Sequence, residues 1–387
     1  MFVLKEIYGL FYQKIQTMRR CIMKRSLQIG GAFVGLIIGA GFASGQEIMQ
    51  YFTSFGTLGL VGGILASLAF AFLGMTLAQL GSEMQVNSHK GVIYQISGRY
   101  LGFILDFLIT FFLFGVAVVM FAGSGSTFNQ MFGIDPMVGS IIMVGLTIAT
   151  LLLNVKNIIN IIASVTPYLM GVIFVILIYS IFTMDLSWSQ ADNLAKEQPA
   201  AAGNWFIGAL LYVSYNIAAG AALLIVMGGT EKDSKVAGRG GIFGGIMLGL
   251  LIILINVAMF VKIDVVAGVD MPTLELANQI HPAVGVLMSI ALLGMMYNTA
   301  VGMFYAFTVR FFAPESKSFK PAVIVVGLAG FAASLVGFTS LVGKVYSTMG
   351  YLGFALILVV IVAWIRRKKL KQSESMYFKH LSNREVS

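Results

Sequence analysis

The stretch GLIIGAGFASGQEIMQYF, residues 35–52, decides the fold of this 387-residue chain. It lies in an apolar run long enough to cross a membrane, yet it contains Gly39, Gly41 and Gly45. Each glycine lowers the stability of a helix by roughly 1 kcal/mol relative to alanine. An acidic residue, Glu47, follows within one turn. The sequence therefore predicts a membrane helix that is interrupted at these glycines, with a carboxylate just beyond the interruption.

The composition is that of an integral membrane protein. Hydrophobic residues make up 58% of the chain and charged residues 11%, far from the balance of a soluble domain. Apolar stretches of about 20 residues, the length of a helix that crosses a bilayer, recur along the sequence. The single cysteine, Cys21, excludes a disulfide framework. We predict an all-α polytopic membrane protein.

Ten apolar segments predict about ten transmembrane helices, numbered here in chain order. They cover residues 27–50, 57–80, 101–127, 136–155, 158–182, 204–228, 240–261, 282–311, 321–338 and 340–364. With the N-terminus in the cytoplasm, all of the 25 Lys and Arg residues lie on the cytoplasmic side except Lys196, Lys262 and Lys344. The positive-inside rule therefore predicts that both termini are cytoplasmic. The net charge of +9 is then a topology signal and requires no nucleic-acid partner.

An internal repeat links the two halves of the chain. Residues 59–65, GLVGGIL, match residues 241–247, GIFGGIM. Other matches follow in chain order, with Gly102 on Gly285, Pro136 on Pro321 and Tyr168 on Tyr351. Because five helices form one copy, the second copy enters the membrane from the opposite side, which is a 5+5 inverted repeat. The remaining pair aligns residues 41–45 with 216–220, and predicts that helices 1 and 6 are both discontinuous.

The repeat divides the chain into five regions. They are a cytoplasmic N-terminal segment (1–25), a first five-helix repeat (26–182), an extracellular connection (183–203), a second repeat (204–365) and a basic cytoplasmic tail (366–387). The N-terminal segment is either an amphipathic helix on the cytoplasmic leaflet or a leader ahead of an alternative start at Met23.

An unwound membrane helix exposes backbone groups that need partners. In lipid these groups are tolerated only where they line a polar cavity or bind a ligand. The N–H groups of a second half-helix starting near Ser44 suit an anion such as a carboxylate. Carbonyl groups released at residues 35–38 suit a small cation or an ammonium group. The alternative is close helix packing through glycines spaced by four. The matching small residues 218–220 in helix 6 favour the binding site.

At residues 39–47, GAGFASGQE, the chain resembles the amino acid–polyamine–organocation superfamily with the LeuT fold. Within that superfamily it looks similar to the bacterial YkvI-like transporters, over about residues 26–365. The resemblance implies a secondary transporter in the bacterial cytoplasmic membrane, with no cofactor other than a sodium ion. It also implies that the carboxylate of an amino acid substrate meets the backbone after the helix-1 break, opposite helix 6. The substrate-binding residues so implied are Ala40, Gly41, Phe42, Ser44, Gly45, Tyr212, Tyr215, Asn216 and Gly220. For the tyrosines, the alternative is an ordinary helix interface.

The resemblance also implies a sodium site between helices 1 and 8. The residues implied are Gly35, Ile38, Met295, Asn298 and Thr299. Oxygen ligands suit a hard cation, although Asn298 stands where the family has a hydroxyl group. Some proton-coupled relatives carry a lysine in helix 5, but residues 158–182 contain no basic residue, which favours sodium over protons. The alternative is that Asn298 and Thr299 form hydrogen bonds across helices.

Apart from Arg310 at the cytoplasmic end of helix 8, three charged residues lie within predicted helices: Glu47, Asp106 and Lys344. Each costs roughly 2.5–3.5 kcal/mol in lipid and is therefore a candidate functional residue. Glu47 and Lys344 fall at similar depth, and we predict that they pair. The resemblance to the LeuT fold implies that such a pair forms the outer gate, although the family has the basic residue on helix 1 and the charges here are exchanged. Otherwise Lys344 extends to the interface and Glu47 bonds locally, or Glu47 carries a proton or binds a substrate amine. Asp106 either pairs with Arg99 or lines the inner exit.

Enzyme signatures are absent from the sequence. It contains no His/Glu pair with metal spacing, no nucleophile elbow and no phosphate-binding loop, which argues against an enzyme. The first interpretation is a transporter of a small amino acid or related zwitterion, coupled to sodium or protons. The second is a receptor-like subunit that binds an amino acid without net transport, and a third is a purely structural membrane protein. The sequence leaves substrate identity and oligomeric state open.

Overall fold

A computed structural model describes residues 22–85, 89–153, 165–313 and 315–384. Within these ranges the chain is helical and contains no β-strand, so the predicted all-α class is confirmed. The helices are α1 (22–37), α2 (Ala40–Ser44), α3 (Gln46–Tyr51), α4 (Thr57–Met84), α5 (His89–Phe132), α6 (Pro136–Leu153), α7 (Val165–Phe182), α8 (Trp188–Lys196), α9 (Trp205–Gly229), α10 (Ser234–Val261), α11 (Ile263–Val266), α12 (Pro272–Ile280), α13 (Pro282–Thr308), α14 (Phe319–Ser334), α15 (Phe338–Leu341) and α16 (Ser347–Arg384).

Some predictions lie outside the part of the chain that is described. These are the N-terminal residues 1–21 and the side chains of Arg99, Asp106 and Tyr168.

Long apolar helices dominate the described chain. Six are long and apolar enough to cross a membrane: Thr57–Met84, Phe107–Phe132, Trp205–Gly229, Ser234–Val261, Pro282–Thr308 and Phe338–Arg366. Three shorter apolar helices are Pro136–Leu152, Gly171–Phe182 and Phe319–Ser334. Large apolar side chains such as Leu68, Phe182 and Leu328 point outward. A polypeptide with several such helices and an apolar exterior is a membrane protein.

The first apolar segment is interrupted, as predicted. Helix α1 ends at residue 37, and Gly39 adopts an extended conformation before α2 begins at Ala40. The Gly39 N–H donates to the Ile37 carbonyl group at 2.8 Å, so Gly35 loses the donor that an α-helix would supply. The second half-helix therefore begins at Ala40, several residues earlier than predicted.

A second break separates α2 from α3 at Gly45. This residue has a φ of 82°, in the left-handed region that favours glycine. A Cβ at this position would also meet Thr273 and Met259 at close range. Both the backbone and the packing therefore require glycine here.

The predicted discontinuity in helix 6 is wrong. Helix α9 continues through residues 216–220 without a break. Gly220 is flanked on both sides by alanines, the strongest helix formers, and a single glycine among them does not unwind the helix. The small residues instead permit close packing, because a Cβ at Gly220 would come within 3.0 Å of Leu36 and 3.1 Å of Ile37.

Helices α4 and α10, which carry the matching GLVGGIL and GIFGGIM segments, pack directly against each other. A Cβ at Gly241 would meet the backbone of Gly74, and one at Gly245 would meet the backbone of Ala71. As residue numbers rise along α10, the numbers of the residues contacted on α4 fall, so the two helices are antiparallel. On α10, the glycines of the repeat motif, Gly241 and Gly245, are the residues that let the two backbones approach.

The connection between α10 and α13 covers one side of the helix-1 break. The Thr273 hydroxyl of α12 donates to the Ala43 carbonyl group of α2. Just before α12, Asp270 accepts hydrogen bonds from Ser126 of α5 at 2.7 Å and from Thr339 of α15 at 2.5 Å. These contacts join three membrane helices to the connection and close that side of the break.

Candidate functional site

A cavity of about 340 Å³ lies at the interruption of helix 1. Its lining comes from α1, α2, α3, α5, α9 and α13 and from Tyr346 at the end of the π-helical turn Val342–Tyr346, which connects α15 to α16. This volume is at the lower end of the range of small-ligand sites, roughly 300–1,000 Å³. The interruption therefore opens onto a cavity of the size that the exposed backbone requires.

Many of the predicted site residues meet in this cavity, although they come from distant parts of the sequence. Those that line it are Gly35, Ile38, Ala40, Gly41, Glu47, Tyr215, Asn216, Met295, Asn298 and Thr299. A Cβ at Gly35 or Gly39 would meet open space, so these two glycines are not positions of close helix packing. The packing alternative is wrong for this half of the motif.

Three predicted residues that follow the break do not line the cavity. Phe42, Ser44 and Gly45 are fully packed against neighbouring helices. The Ser44 hydroxyl donates to the Gly41 carbonyl group at 2.7 Å and accepts from the Gln46 N–H at 3.2 Å. Its side chain is thus used to shape the turn at Gly45, and it is not directed at a ligand.

Two predicted residues of helix 6 also lie away from the lining. Tyr212 is completely buried behind Tyr215, with a ring separation of 5.4 Å, and it packs edge-on against Phe52 at 5.0 Å. Gly220 faces α1 at Leu36. The helix remains continuous, so only the face that carries Tyr215 and Asn216 reaches the cavity.

Glu47 is the acidic residue of this cavity. Its side chain is 5% exposed, and its carboxylate accepts a hydrogen bond of 2.6 Å from the Tyr215 hydroxyl. The carboxylate also fills the space into which a Cβ at Gly41 would project. Gly41 therefore faces the protein's own acid, which is a correction to its predicted role as an open contact for a substrate carboxylate.

A cluster of tyrosines surrounds this carboxylate. Tyr215 stacks on Tyr346 with ring centroids 4.9 Å apart and an interplanar angle of 27°. Tyr51 packs against Tyr215 at 5.7 Å, and its hydroxyl group bonds to Ser347 at 3.0 Å. The cluster joins α3, α9 and the start of α16 around the acid.

The predicted pairing of Glu47 with Lys344 is absent from the ion pairs of the described chain. Lys344 is exposed, whereas Tyr346 is buried and lines the cavity. Residues two apart on a helix point to roughly opposite sides, so a turn that directs Tyr346 inward directs Lys344 outward. The partner of Glu47 is Tyr215, and the ion-pair gate is corrected to this neutral contact.

The residues predicted for a cation site all line the cavity. Unlike the Thr308 hydroxyl, which bonds to the Phe304 carbonyl group at 2.8 Å, the side chains of Thr299 and Asn298 form no hydrogen bond within the described ranges. The predicted alternative of bonds across helices is therefore wrong for these two residues. The Gly35 carbonyl group, freed from its helical donor, lines the same cavity. Among the described residues, no group of three His, Cys, Asp or Glu side chains could hold a metal ion.

Several lining residues were not predicted. They are Phe112, Val116 and Met120 of α5, Ala219 of α9, Gly302 and Met303 of α13, and Tyr346. The α5 residues belong to an unbroken apolar run that carries no polar signal. The one available signal for Tyr346 was that it is the aromatic residue nearest Lys344. Using that signal requires knowing how the last membrane helix is rotated.

No protein-family model matches the chain. The chain is homologous to the uncharacterized membrane protein YkvI of Bacillus subtilis (strain 168), with 25% identity over 337 residues, 85% of this chain and 93% of YkvI. The uncharacterized protein YyaD of the same organism is 24% identical over 329 residues, which cover 85% of this chain and 94% of YyaD. Both similarities extend over most of each protein.

Among solved structures, the chain resembles LeuT-fold transporters. MhsT in complex with L-phenylalanine superimposes with a TM-score of 0.56 and 18% identity, covering 86% of this chain and 88% of MhsT. The Eremococcus coleocola manganese transporter gives a TM-score of 0.56 at 15% identity, covering 89% and 79%. A Na⁺-coupled sialic acid symporter gives 0.54 at 15% identity, covering 87% and 79%. These similarities show the fold.

Proposed function

We propose that this protein is a secondary active transporter that moves a small amino acid or related zwitterion across the bacterial cytoplasmic membrane by alternating access. Transport of the cargo is coupled to sodium, with protons as the second candidate. The fold, which resembles that of secondary transporters, supports the proposal. The observation that supports it most is the asymmetry of the cavity.

From the helix-1 break the cavity extends toward α1. From the break it follows the last turn of α1, the residues Phe112 and Val116 of α5 and the residues Asn298 and Met303 of α13. On the other side of the break, the bonds of Asp270 and Thr273 hold the covering connection in place. A central site reached from one side and sealed on the other is the arrangement that alternating access requires.

The topology of the proposal has ten crossings in a 5+5 inverted repeat of the APC superfamily, with both termini in the cytoplasm. Six long apolar helices, three shorter ones and the broken helix α1–α3 would together give ten crossings, which supports this topology. The antiparallel contact between α4 and α10 supports the inversion, and the distribution of Lys and Arg supports the orientation.

The sodium site of the proposal rests on the chemistry of its donors. The freed Gly35 carbonyl group, the unbonded Asn298 amide and the unbonded Thr299 hydroxyl are oxygen donors of the type that hard cations prefer. Ile38 and Met295 would contribute carbonyl groups from the same lining.

Counterflow in proteoliposomes tests the transport function. Vesicles that contain the full chain and are preloaded with an unlabelled amino acid mixture should accumulate labelled amino acid transiently, with and without a sodium gradient. Binding of the same amino acids without any exchange would instead identify a receptor-like subunit.

A further inference from the structure

We infer that Glu47 anchors the ammonium group of the cargo, so that an amino group is the feature by which this site recognises its substrates. The inference rests on the proposed function, because it names the part of the cargo that binds at the same cavity. It goes beyond that function by making the carboxylate of an amino acid dispensable.

The first argument is the charge of the cavity. Among the described lining residues, Glu47 is the acid, and there is no Lys, Arg or His. Its carboxylate accepts a hydrogen bond from Tyr215, a neutral donor, and a neutral donor does not balance the charge of a buried carboxylate. A cationic group on the cargo supplies the missing positive charge where the protein supplies none.

The second argument is the position of the carboxylate. It fills the space over Gly41, beside the backbone at which an amino acid carboxylate is predicted to bind. Two carboxylates at one position repel each other. The occupant of this end of the cavity is therefore the positively charged end of the cargo.

The third argument is the surroundings of the acid. Tyr215 and Tyr346 line the cavity next to Glu47 and add aromatic surface, which attracts ammonium groups. Further along, Phe112, Val116 and Met120 provide an apolar wall. The cavity thus fits a primary amine with a small apolar substituent, with or without an acidic group.

Two matched sets of three compounds test the amino group and the carboxylate of an amino acid separately. Purified full-length protein is tested by thermal shift and calorimetry with L-alanine, ethylamine and propionate, and with the larger set L-leucine, isoamylamine and 4-methylpentanoate. We expect stabilisation by the amino acids and the amines and none by the acids. Stabilisation by the acids, or by none of the amines, overturns the inference.

Variants test whether Glu47 is the group responsible. Glu47→Gln should weaken amine binding about 30-fold or more, because it removes one partner of a buried charge pair. Glu47→Asp keeps the charge and should retain part of the affinity. It shows whether the loss in Glu47→Gln comes from the missing charge or from a folding defect. Glu275→Gln is the matched control, since Glu275 lies on α12 outside the cavity. Equal amine affinity in Glu47→Gln and the wild type contradicts the inference.

The amine-binding and counterflow measurements distinguish failure of the ammonium site from failure of the proposed transport function. Amine binding that depends on Glu47, combined with no counterflow, rejects transport and retains the ammonium site. Counterflow of compounds that lack an amino group, unchanged in Glu47→Gln, rejects the ammonium site and retains transport.

Discussion

The Tyr215 hydroxyl of α9 donates a hydrogen bond of 2.6 Å to the Glu47 carboxylate of α3, across a sequence separation of 168 residues. This contact joins the helix that follows the interruption to the helix on the opposite side of the cavity. It replaces the ion pair predicted between Glu47 and Lys344. The acid is therefore held by a neutral partner and remains available to a cation.

Replacing Tyr215 by phenylalanine should weaken ligand binding while the protein stays folded. A hydrogen bond to a charged group contributes roughly 1.5–3 kcal/mol, so ethylamine affinity should fall about tenfold or more through misorientation of Glu47. Titration calorimetry measures the change. Tyr179→Phe is the control, because the Tyr179 hydroxyl bonds to the Gln279 carbonyl group at an exposed position. Unaltered affinity in Tyr215→Phe would show that this bond does not position the acid.

Alanine at Gly45 should destabilise the protein, whereas alanine at Gly35 should not. Gly45 has a positive φ and lies close to Thr273, so Gly45→Ala should cost about 1–3 kcal/mol. A Cβ at Gly35 meets open space and should leave the melting temperature unchanged or slightly raised. Thermal unfolding of the two variants side by side measures the difference. Equal melting temperatures would argue against the turn at Gly45.

Removing Asp270 should expose the cavity on its sealed side. Asp270→Ala eliminates the hydrogen bonds to Ser126 and Thr339, each of which contributes about 0.5–1.5 kcal/mol. The substitution should therefore raise the access of solutes to the cavity from the sealed side several-fold. The rate at which an impermeant maleimide labels Ala219→Cys, in a Cys21→Ser background, measures that access. Asp264→Ala is the control, since this acid is exposed in the same connection. Identical labelling rates in both variants would show that Asp270 does not hold the cover.

Thr299→Val should abolish stabilisation by sodium. The substitution keeps the shape of the side chain and removes an unbonded hydroxyl group that lines the cavity. The melting temperature of the wild type should rise with sodium relative to choline, and that of the variant should not. Thr308→Val supplies the control, because its hydroxyl is already bonded to Phe304. A sodium effect that persists in Thr299→Val would place the ion elsewhere.

All of the residues predicted for a cation site line the cavity, whereas only some of the residues predicted opposite them do. Gly35, Ile38, Asn298 and Thr299 line one cavity because each lies at a helix depth that can be counted from the ends of its apolar segment. For Tyr212, the depth along the helix was not enough to predict whether the side chain reaches the cavity. Whether a tyrosine faces the cavity or packs behind its neighbour depends on helix rotation, and apolar segments of nearly uniform hydropathy do not reveal it.

By itself the sequence determined the all-α membrane class and the interruption of helix 1. Both follow from local physics, namely the hydropathy of long segments and the low helix propensity of Gly39, Gly41 and Gly45. Only the tertiary structure decided that Tyr212 packs away from the cavity and that Glu47 meets Tyr215. Those outcomes depend on how helices rotate and approach one another, which is set by packing between residues far apart in the chain.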